Sequence, residues 1–124
     1  MLRQKMILNC LTTAEFTLFH AHGFADRGDI FNTVGCLTKI AFVLVQSLFA
    51  LNNEYYFGDK GSVEVVERFV LQPRGFSERL QELLTRPMQT DLDLKFATLQ
   101  IQALWKETVG LSQGRYIPKF GLPD

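Results

Sequence analysis

The feature that most constrains the fold is a stretch over residues 30–52 that is apolar on nearly every side of a helix. Its polar residues recur at seven-residue spacing, at Asn32, Lys39, Gln46 and Asn53. Seven residues are close to two helical turns, so these side chains form one narrow stripe along an otherwise apolar rod. The pattern predicts a central, mostly buried helix that other helices cover.

The polar stripe, defined as Asn32, Lys39, Gln46 and Asn53, has two interpretations. It is either the solvated edge of the central helix, or the lining of an interior groove or of a symmetric dimer seam. Buried amides and a buried lysine need hydrogen-bonding partners, so the second interpretation implies a partner helix or a ligand.

Residues 2–25 predict a first long helix, because apolar side chains recur there at steps of four and three. These apolar residues form a stripe that consists of Ile7, Leu11, Ala14, Leu18, Ala21 and Ala25. Three of the six are alanines, whose small side chains let a partner helix approach closely.

The remaining signals are caps and turns. Asp29 is predicted to cap the second helix, and Ser62 and Ser77 to cap two short helices. Thr90 is predicted to begin a last long helix, with two aspartates in its first turn, where negative charge suits the helix dipole.

The sequence therefore predicts an all-α fold, an up-and-down helical bundle of three long and two short helices. The length of 124 residues is that of one domain. We expect residues 1–110 to form the bundle and residues 111–124, which contain two glycines and two prolines, to form an irregular tail.

Composition narrows the possible functions. Lys plus Arg number 13 and Asp plus Glu number 13, so the chain lacks the basic surplus of a dedicated nucleic-acid binder. The most apolar run, residues 40–51, is shorter than the ~20 residues of a membrane span, and no secretory signal opens the chain. We expect a cytoplasmic protein with no membrane partner and no sequence-specific nucleic-acid binding. Cys10 and Cys36 are interpreted as buried free thiols, with a disulfide as the alternative.

The common catalytic patterns are missing from the sequence. His20 and His22 are two residues apart on a predicted helix, so their side chains point away from each other. No glycine-rich phosphate loop or nucleophile elbow is present. Asp91 and Asp93 open a helix, where they diverge and serve as capping groups. The sequence therefore predicts no catalytic residue, no metal site and no cofactor in this chain.

Residues 22–60 carry a resemblance to a known family. The strings are HGFADRGD at 22–29, NTVGCLTK at 32–39, QSLFALNNEYY at 46–56 and GDK at 58–60. They resemble the helical C-terminal domain that follows a polymerase-beta-type nucleotidyltransferase domain in a family of bacterial proteins. That domain is similar in turn to the C-terminal bundle of kanamycin nucleotidyltransferase. The most specific part is Leu-Phe-Ala-Leu-Asn-x-x-Tyr followed by Asp-Lys.

The resemblance implies a partner and a role. In such enzymes the catalytic domain supplies a Gly-Ser loop and an Asp-x-Asp pair that holds metal ions, and this sequence has neither. Mg²⁺ and a nucleoside triphosphate would thus belong to a nucleotidyltransferase catalytic domain, joined in cis or acting in trans. Some related bundles are ribonucleases with an Arg four to six residues before a His, a spacing that is also missing here.

Two polar segments are the candidate ligand-binding sites. The turn Asp26-Arg27-Gly28-Asp29 lies before the second helix, and the loop from Asn52 to Lys60 follows it. Arg27 or Lys60 could receive a phosphate, and Tyr55 or Tyr56 could stack on a base or a sugar. The alternatives are a local ion pair of Arg27 with Asp26 or Asp29, and a solvated charge at Lys60.

Two functions remain open at this point. The first is a non-catalytic module that contributes nucleotide or acceptor binding beside a nucleotidyltransferase. The second is a structural bundle without a ligand, which forms a homodimer through the alanine-containing first helix or the polar-striped second helix. The two are compatible, and we expect a homodimer.

Overall fold

The structure is a computed structural model that describes residues 2–123. Met1 and Asp124, the first and last residues of the predicted bundle and tail, lie outside the described residues. Within them the chain is all-α, which confirms the predicted class of three long and two short helices. The helices are α1 (Leu2–Asp26), α2 (Ile30–Leu51), α3 (Ser62–Val66), α4 (Phe76–Thr85) and α5 (Asp91–Leu111).

Helices α1 and α2 form an antiparallel pair. All six residues of the predicted α1 stripe, among them Ala14, Ala21 and Ala25, are fully buried. The pairing direction follows from Arg3, at the start of α1, whose Nε donates to the carbonyl oxygen of Ala50 at the end of α2, 2.7 Å away. The alanine face is covered inside the protomer and is therefore not available to a second copy.

Helix α5 runs antiparallel to α1. Near the middle of α1, the indole Nε1 of Trp105 donates to the carbonyl oxygen of Leu11 at 3.2 Å. At the end of α1, Asp26 forms an ion pair with Lys95, which lies earlier in α5. The later residue of α1, Asp26, thus contacts the earlier residue of α5, Lys95, so the two helices run in opposite directions.

Helix α4 returns along α5. Arg79 forms an ion pair with Glu107 at 2.6 Å, and the Arg86 guanidinium lies 4.3 Å from the centroid of the Phe96 ring. These pairs again run in opposite directions along the two helices. The order α1, α2, α4, α5 is thus up, down, up and down, and α3 lies in the connection at the lower end of the bundle.

Helix caps explain where the long helices begin. Asp29 accepts from the backbone N–H of Asn32 at 3.1 Å, as predicted. Thr90 and Asp93 form a reciprocal capping box at the start of α5.

The two short helices begin differently from the prediction. Gly61 and Gly75 are the capping residues, both with left-handed backbone, and neither has a side chain to cap with. Ser62 and Ser77 are already inside the helices, so their hydroxyls donate to the carbonyl oxygens of Asp59 and Val63 instead. The predicted serine caps are wrong because the preceding glycines take the cap position.

Helix α2 is the central element. By length and composition it could cross a membrane, and 56% of its most apolar window of 18 residues is buried inside the bundle. The apolar window is longer than residues 40–51, the run that was expected to be too short to span a membrane. A core helix of a globular protein passes the same test. The cytoplasmic location stays a prediction.

Residues 112–123 contain no helix or strand and fold back over α1 and α5. The anchor is Glu15, which is fully buried in the middle of α1. Its carboxylate accepts from the Tyr116 hydroxyl at 2.5 Å and from the backbone N–H groups of Lys119 and Phe120 at 2.8 and 2.7 Å. A buried carboxylate is stable only with such donors, so the tail and Glu15 require each other.

A second polar contact holds the end of the tail. Gln102 of α5 donates from its Nε2 to the carbonyl oxygen of Pro123. Its Oε1 is therefore the acceptor for the Nε2–H of buried His22, 2.5 Å away. His20, two residues earlier, is exposed, so the two histidines diverge as predicted.

We predict that Tyr116 ionises only at high pH, because its hydroxyl is buried against Glu15. Burial and the hydrogen bond to Glu15 raise the pKa of Tyr116 to about 12, against an ordinary value near 10. Because the folded pKa is the higher one, the stabilisation is complete below about pH 10 and is lost as pH rises through about 12. Absorbance at 295 nm should show a late phase that Tyr116→Phe removes and Tyr55→Phe keeps. A late phase that is still present in Tyr116→Phe would contradict the buried hydrogen bond between Tyr116 and Glu15.

We also predict unequal reactivity of the two cysteines, both of which are free thiols. Burial raises the pKa of Cys10 to about 11, so almost no thiolate forms at neutral pH. Cys36 is only partly buried. Iodoacetamide at pH 8 should modify Cys36 first, with mass spectrometry of the native chain as the measurement. Fast modification of Cys10 in the Cys36→Ala variant would contradict its burial.

Candidate functional site

The two candidate segments lie at opposite ends of α2. That helix has 22 residues, so it is about 33 Å long at 1.5 Å per residue. The turn at residues 26–29 and the loop at residues 52–60 therefore form two separate surfaces, as the sequence predicts.

The side chains of the turn stabilise the turn itself. Asp26 pairs with Lys95, and this hydrogen bond lowers the pKa of the Asp26 carboxyl. The carboxylate of Asp29 accepts from both the side chain and the backbone of Asn32, which lowers the pKa of Asp29. Arg27 lies over the Phe24 ring, 5.3 Å from its centroid, instead of pairing with either aspartate. All three predicted ligand-binding residues of the turn thus have partners within the protomer.

The loop at residues 52–60 is held in place at its start by Asn52. The Asn52 amide donates to the carbonyl oxygens of Leu48 and Leu71, both at 2.7 Å. Its Oδ1 accepts from the backbone N–H of Leu71 at 2.9 Å. Asn52 therefore ties the loop to the segment after α3, and its role is structural.

Asn53 ends α2 in a left-handed conformation, with a φ of 60°. Its N–H donates to the carbonyl oxygen of Ala50, and the N–H of Glu54 donates to that of Phe49. This pair of bonds is a Schellman motif, in which asparagine is one of the few non-glycine residues tolerated at the left-handed position. Asparagine at position 53 is therefore explained by the end of α2, and not by a polar stripe along the helix.

The rest of the polar stripe faces solvent in the protomer. Asn32 and Lys39 are exposed, and Gln46 is half-buried. Within the protomer the stripe is the solvated edge of α2, which is the first of the two interpretations.

The loop displays aromatic rings to solvent. Tyr55 is 78% exposed and Phe57 is 89% exposed, and their ring centroids lie 5.3 Å apart in an edge-to-face contact. Tyr56 instead packs on Phe49, and its hydroxyl bonds to Asp59. Of the predicted pair of tyrosines, only Tyr55 is free to stack on a ligand.

Phe57 was not among the predicted residues. The sequence Tyr55-Tyr56-Phe57 contained a signal for this exposure. In an extended segment, residues two apart point to the same side, so Phe57 points with Tyr55 and Tyr56 points to the other side. Lys60 is exposed at the end of the loop, close in sequence to these rings. The exposed pair Tyr55 and Phe57, with Lys60, is named the loop cluster below.

The start of α1 lies beside this loop. Arg3 donates from Nε to Ala50 and from Nη2 to the Leu51 carbonyl oxygen at 3.3 Å. The Arg3 cation lies at the C-terminal end of α2, where positive charge suits the helix dipole, and the Ala50 carbonyl oxygen accepts from both Arg3 and the Asn53 N–H. The chain therefore begins at the same end of the bundle as the loop cluster, far from the turn at residues 26–29.

A surface cavity of about 430 Å³ lies between α3 and α4 at this end. Its lining includes Glu67, Arg74 and Glu78, together with the aromatic residues Phe69 and Phe76. The cavity adds both signs of charge to the lower end of the bundle.

Among residues 2–123, no three His, Cys, Asp or Glu side chains are grouped so that they could hold a metal ion.

No protein-family model matches the sequence, and neither a curated protein nor a solved structure is significantly similar to it.

Proposed function

We propose that this chain is a non-catalytic helical module that works beside a nucleotidyltransferase catalytic domain and contributes to nucleotide or acceptor binding. The observation that carries the proposal is the loop cluster: two exposed aromatic rings and a cation on a loop that is anchored at its start. This loop belongs to the most specific part of the family resemblance.

The location of the chain's start supports the same end of the bundle. A catalytic domain joined before α1 would emerge next to Ala50 and Leu51, because Arg3 bonds to both. It would therefore lie at the same end of the bundle as the loop cluster, whereas the turn at residues 26–29 is about 33 Å away. We assign the binding role to the loop cluster and a structural role to the turn.

The chemistry of the loop cluster suits a nucleotide or a similar ligand. An exposed aromatic ring offers an apolar face on which a base stacks, worth about 1–3 kcal/mol per base. Lys60 offers a positive charge for a phosphate. Asn52 and the Schellman motif hold the loop, so little conformational entropy is lost when a ligand binds.

Mg²⁺ and the nucleoside triphosphate are assigned to the catalytic domain. This assignment follows from the family resemblance, in which the catalytic domain supplies the Asp-x-Asp pair that holds the metal ions. The role of this chain is to orient one substrate and to exclude water from one side of the cleft.

The test is thermal unfolding of the full chain with ATP, GTP, CTP and UTP in Mg²⁺ buffer. At ten times its Kd, a nucleotide stabilises the fold by about 1.4 kcal/mol, which raises the Tm by roughly 4 °C. The variant Tyr55→Ala/Phe57→Ala/Lys60→Ala should lose the shift and keep the Tm without nucleotide, because all three side chains are exposed.

The matched control is Arg27→Ala at the other end of α2, which should keep the nucleotide shift. A loss with Arg27→Ala but not with the triple variant would reassign the site to the turn. No shift with any nucleotide, together with no co-purification of a nucleotidyltransferase domain encoded beside this chain, would favour the structural bundle without a ligand.

A further inference from the structure

The tail and α5 border a second large cavity, away from the loop cluster. Its volume is about 500 Å³, which lies within the range of roughly 300–1,000 Å³ that small-molecule pockets occupy. Glu15 holds residues 116–120 of the tail and Gln102 holds Pro123, so the outer wall of this cavity is fixed at two places. It is named the tail cavity, and its walls include Trp105, Val109, Pro118, Lys119 and Leu122.

Most of these walls are apolar. Trp105 and Val109 come from α5, and Pro118 and Leu122 come from the tail. Trp105 belongs to the hydrophobic core, and Leu122 packs against that core. Pockets for small molecules typically combine such apolar walls with a few polar groups that fix the orientation of the ligand. The walls therefore suit the apolar body of a small molecule.

The charged groups of the tail cavity differ between its floor and its rim. The floor includes the carboxylate of Glu15, whose Oε1 accepts from Tyr116 and Lys119 and whose Oε2 accepts from Lys119 and Phe120. These four hydrogen bonds occupy the acceptor capacity of the carboxylate. Lys106 and Lys119 also line the cavity, and both are exposed. A ligand therefore meets lysine side chains at the rim and a fully hydrogen-bonded carboxylate at the floor.

Lys119 has separate roles for its backbone and its side chain. Its backbone N–H donates to Glu15, whereas its ammonium group lies 5.4 Å from the centroid of the Tyr116 ring. Within residues 2–123 this ammonium group forms no ion pair with a carboxylate. It can therefore bind an anionic group without breaking the hydrogen bonds that hold the tail.

We propose that the tail cavity binds a small apolar acid, an aromatic or aliphatic molecule that carries one carboxylate or sulfonate. The apolar body lies against the walls from α5 and the tail, and the anionic group lies at Lys119. The site is separate from the loop cluster, because Glu15 follows Arg3 by 12 residues, or about 18 Å along α1. The proposal is thus independent of nucleotide binding.

The test uses the fluorescence of Trp105, which is the only tryptophan in the chain and lines the cavity. The probe is the aromatic sulfonate 8-anilinonaphthalene-1-sulfonate, which accepts excitation energy from tryptophan. We expect a saturable loss of tryptophan emission as this probe is added. Decanoate should displace the probe, and decanol, which has the same chain length and no charge, should displace it less.

Two variants locate the probe. Lys119→Ala should raise the Kd of the probe about fivefold, the factor that one pair of opposite charges contributes at about 4 Å in water. It should keep the Tm, because Glu15 bonds to the backbone N–H of residue 119 and not to the lysine side chain. Val109→Phe should also raise the Kd, because the larger ring fills part of the cavity. Raising NaCl from 0.05 to 0.5 M should weaken binding to the unaltered chain.

The matched control is Arg115→Ala. It removes the same charge from the same tail, but Arg115 is exposed and does not line the cavity. It should leave the Kd unchanged, and Lys119→Arg should keep most of the affinity.

Three outcomes would overturn the proposal. The first is no saturable change in tryptophan emission. The second is a Kd that neither Lys119→Ala nor Val109→Phe raises, or that Arg115→Ala raises as much as Lys119→Ala does. The third is equal displacement of the probe by decanol and decanoate, which would remove the anionic group from the ligand class. No nucleotide is present in these measurements, so they leave the proposed function to its own test.

Discussion

The antiparallel packing of α1 on α2 determines the arrangement of everything else in this protein. The buried face of α1 includes Ala14, Ala21 and Ala25, whose small side chains are fully buried and allow a neighbouring helix to approach closely. Because the pair is antiparallel, the start of α1 meets the end of α2, and Arg3 bonds to Ala50 and Leu51 there. The connection between the helices is at the opposite end, about 33 Å away. At one end of the bundle is the turn at residues 26–29, whose side chains have partners within the protomer. At the other end, α1 begins beside the loop at residues 52–60, which exposes aromatic rings.

The tail completes the bundle through a single buried carboxylate. Glu15 faces the groove between α1 and α5, where a negative charge without donors would be strongly destabilising. Tyr116 and two backbone N–H groups of the tail supply those donors. The tail thus covers the groove between α1 and α5.

The sequence predicts local structure well and distant contacts poorly. The spacing of Ile7 to Ala25 predicts the buried face of α1, and Asp29 predicts the start of α2, because both depend on residues within a few turns. The bonds of Arg3 to Ala50 and of Glu15 to Tyr116 join residues far apart in the chain, so no spacing signals them. For the same reason the sequence predicts both the turn at residues 26–29 and the loop at residues 52–60 as candidate ligand-binding sites, without favouring either. Only the fold separates them, since Arg27 lies on Phe24 while Tyr55 stays exposed.

In the function proposed for this chain, the loop end of the bundle, and not the turn end, faces the catalytic partner and its substrate. Hydrogen–deuterium exchange with mass spectrometry tests this assignment on the full chain, with and without Mg²⁺-ATP and an added polymerase-beta-type nucleotidyltransferase domain. We expect slower exchange at residues 2–6 and 53–61, and unchanged exchange at residues 24–31. Slower exchange at residues 24–31 with no change at residues 53–61 would contradict the claim.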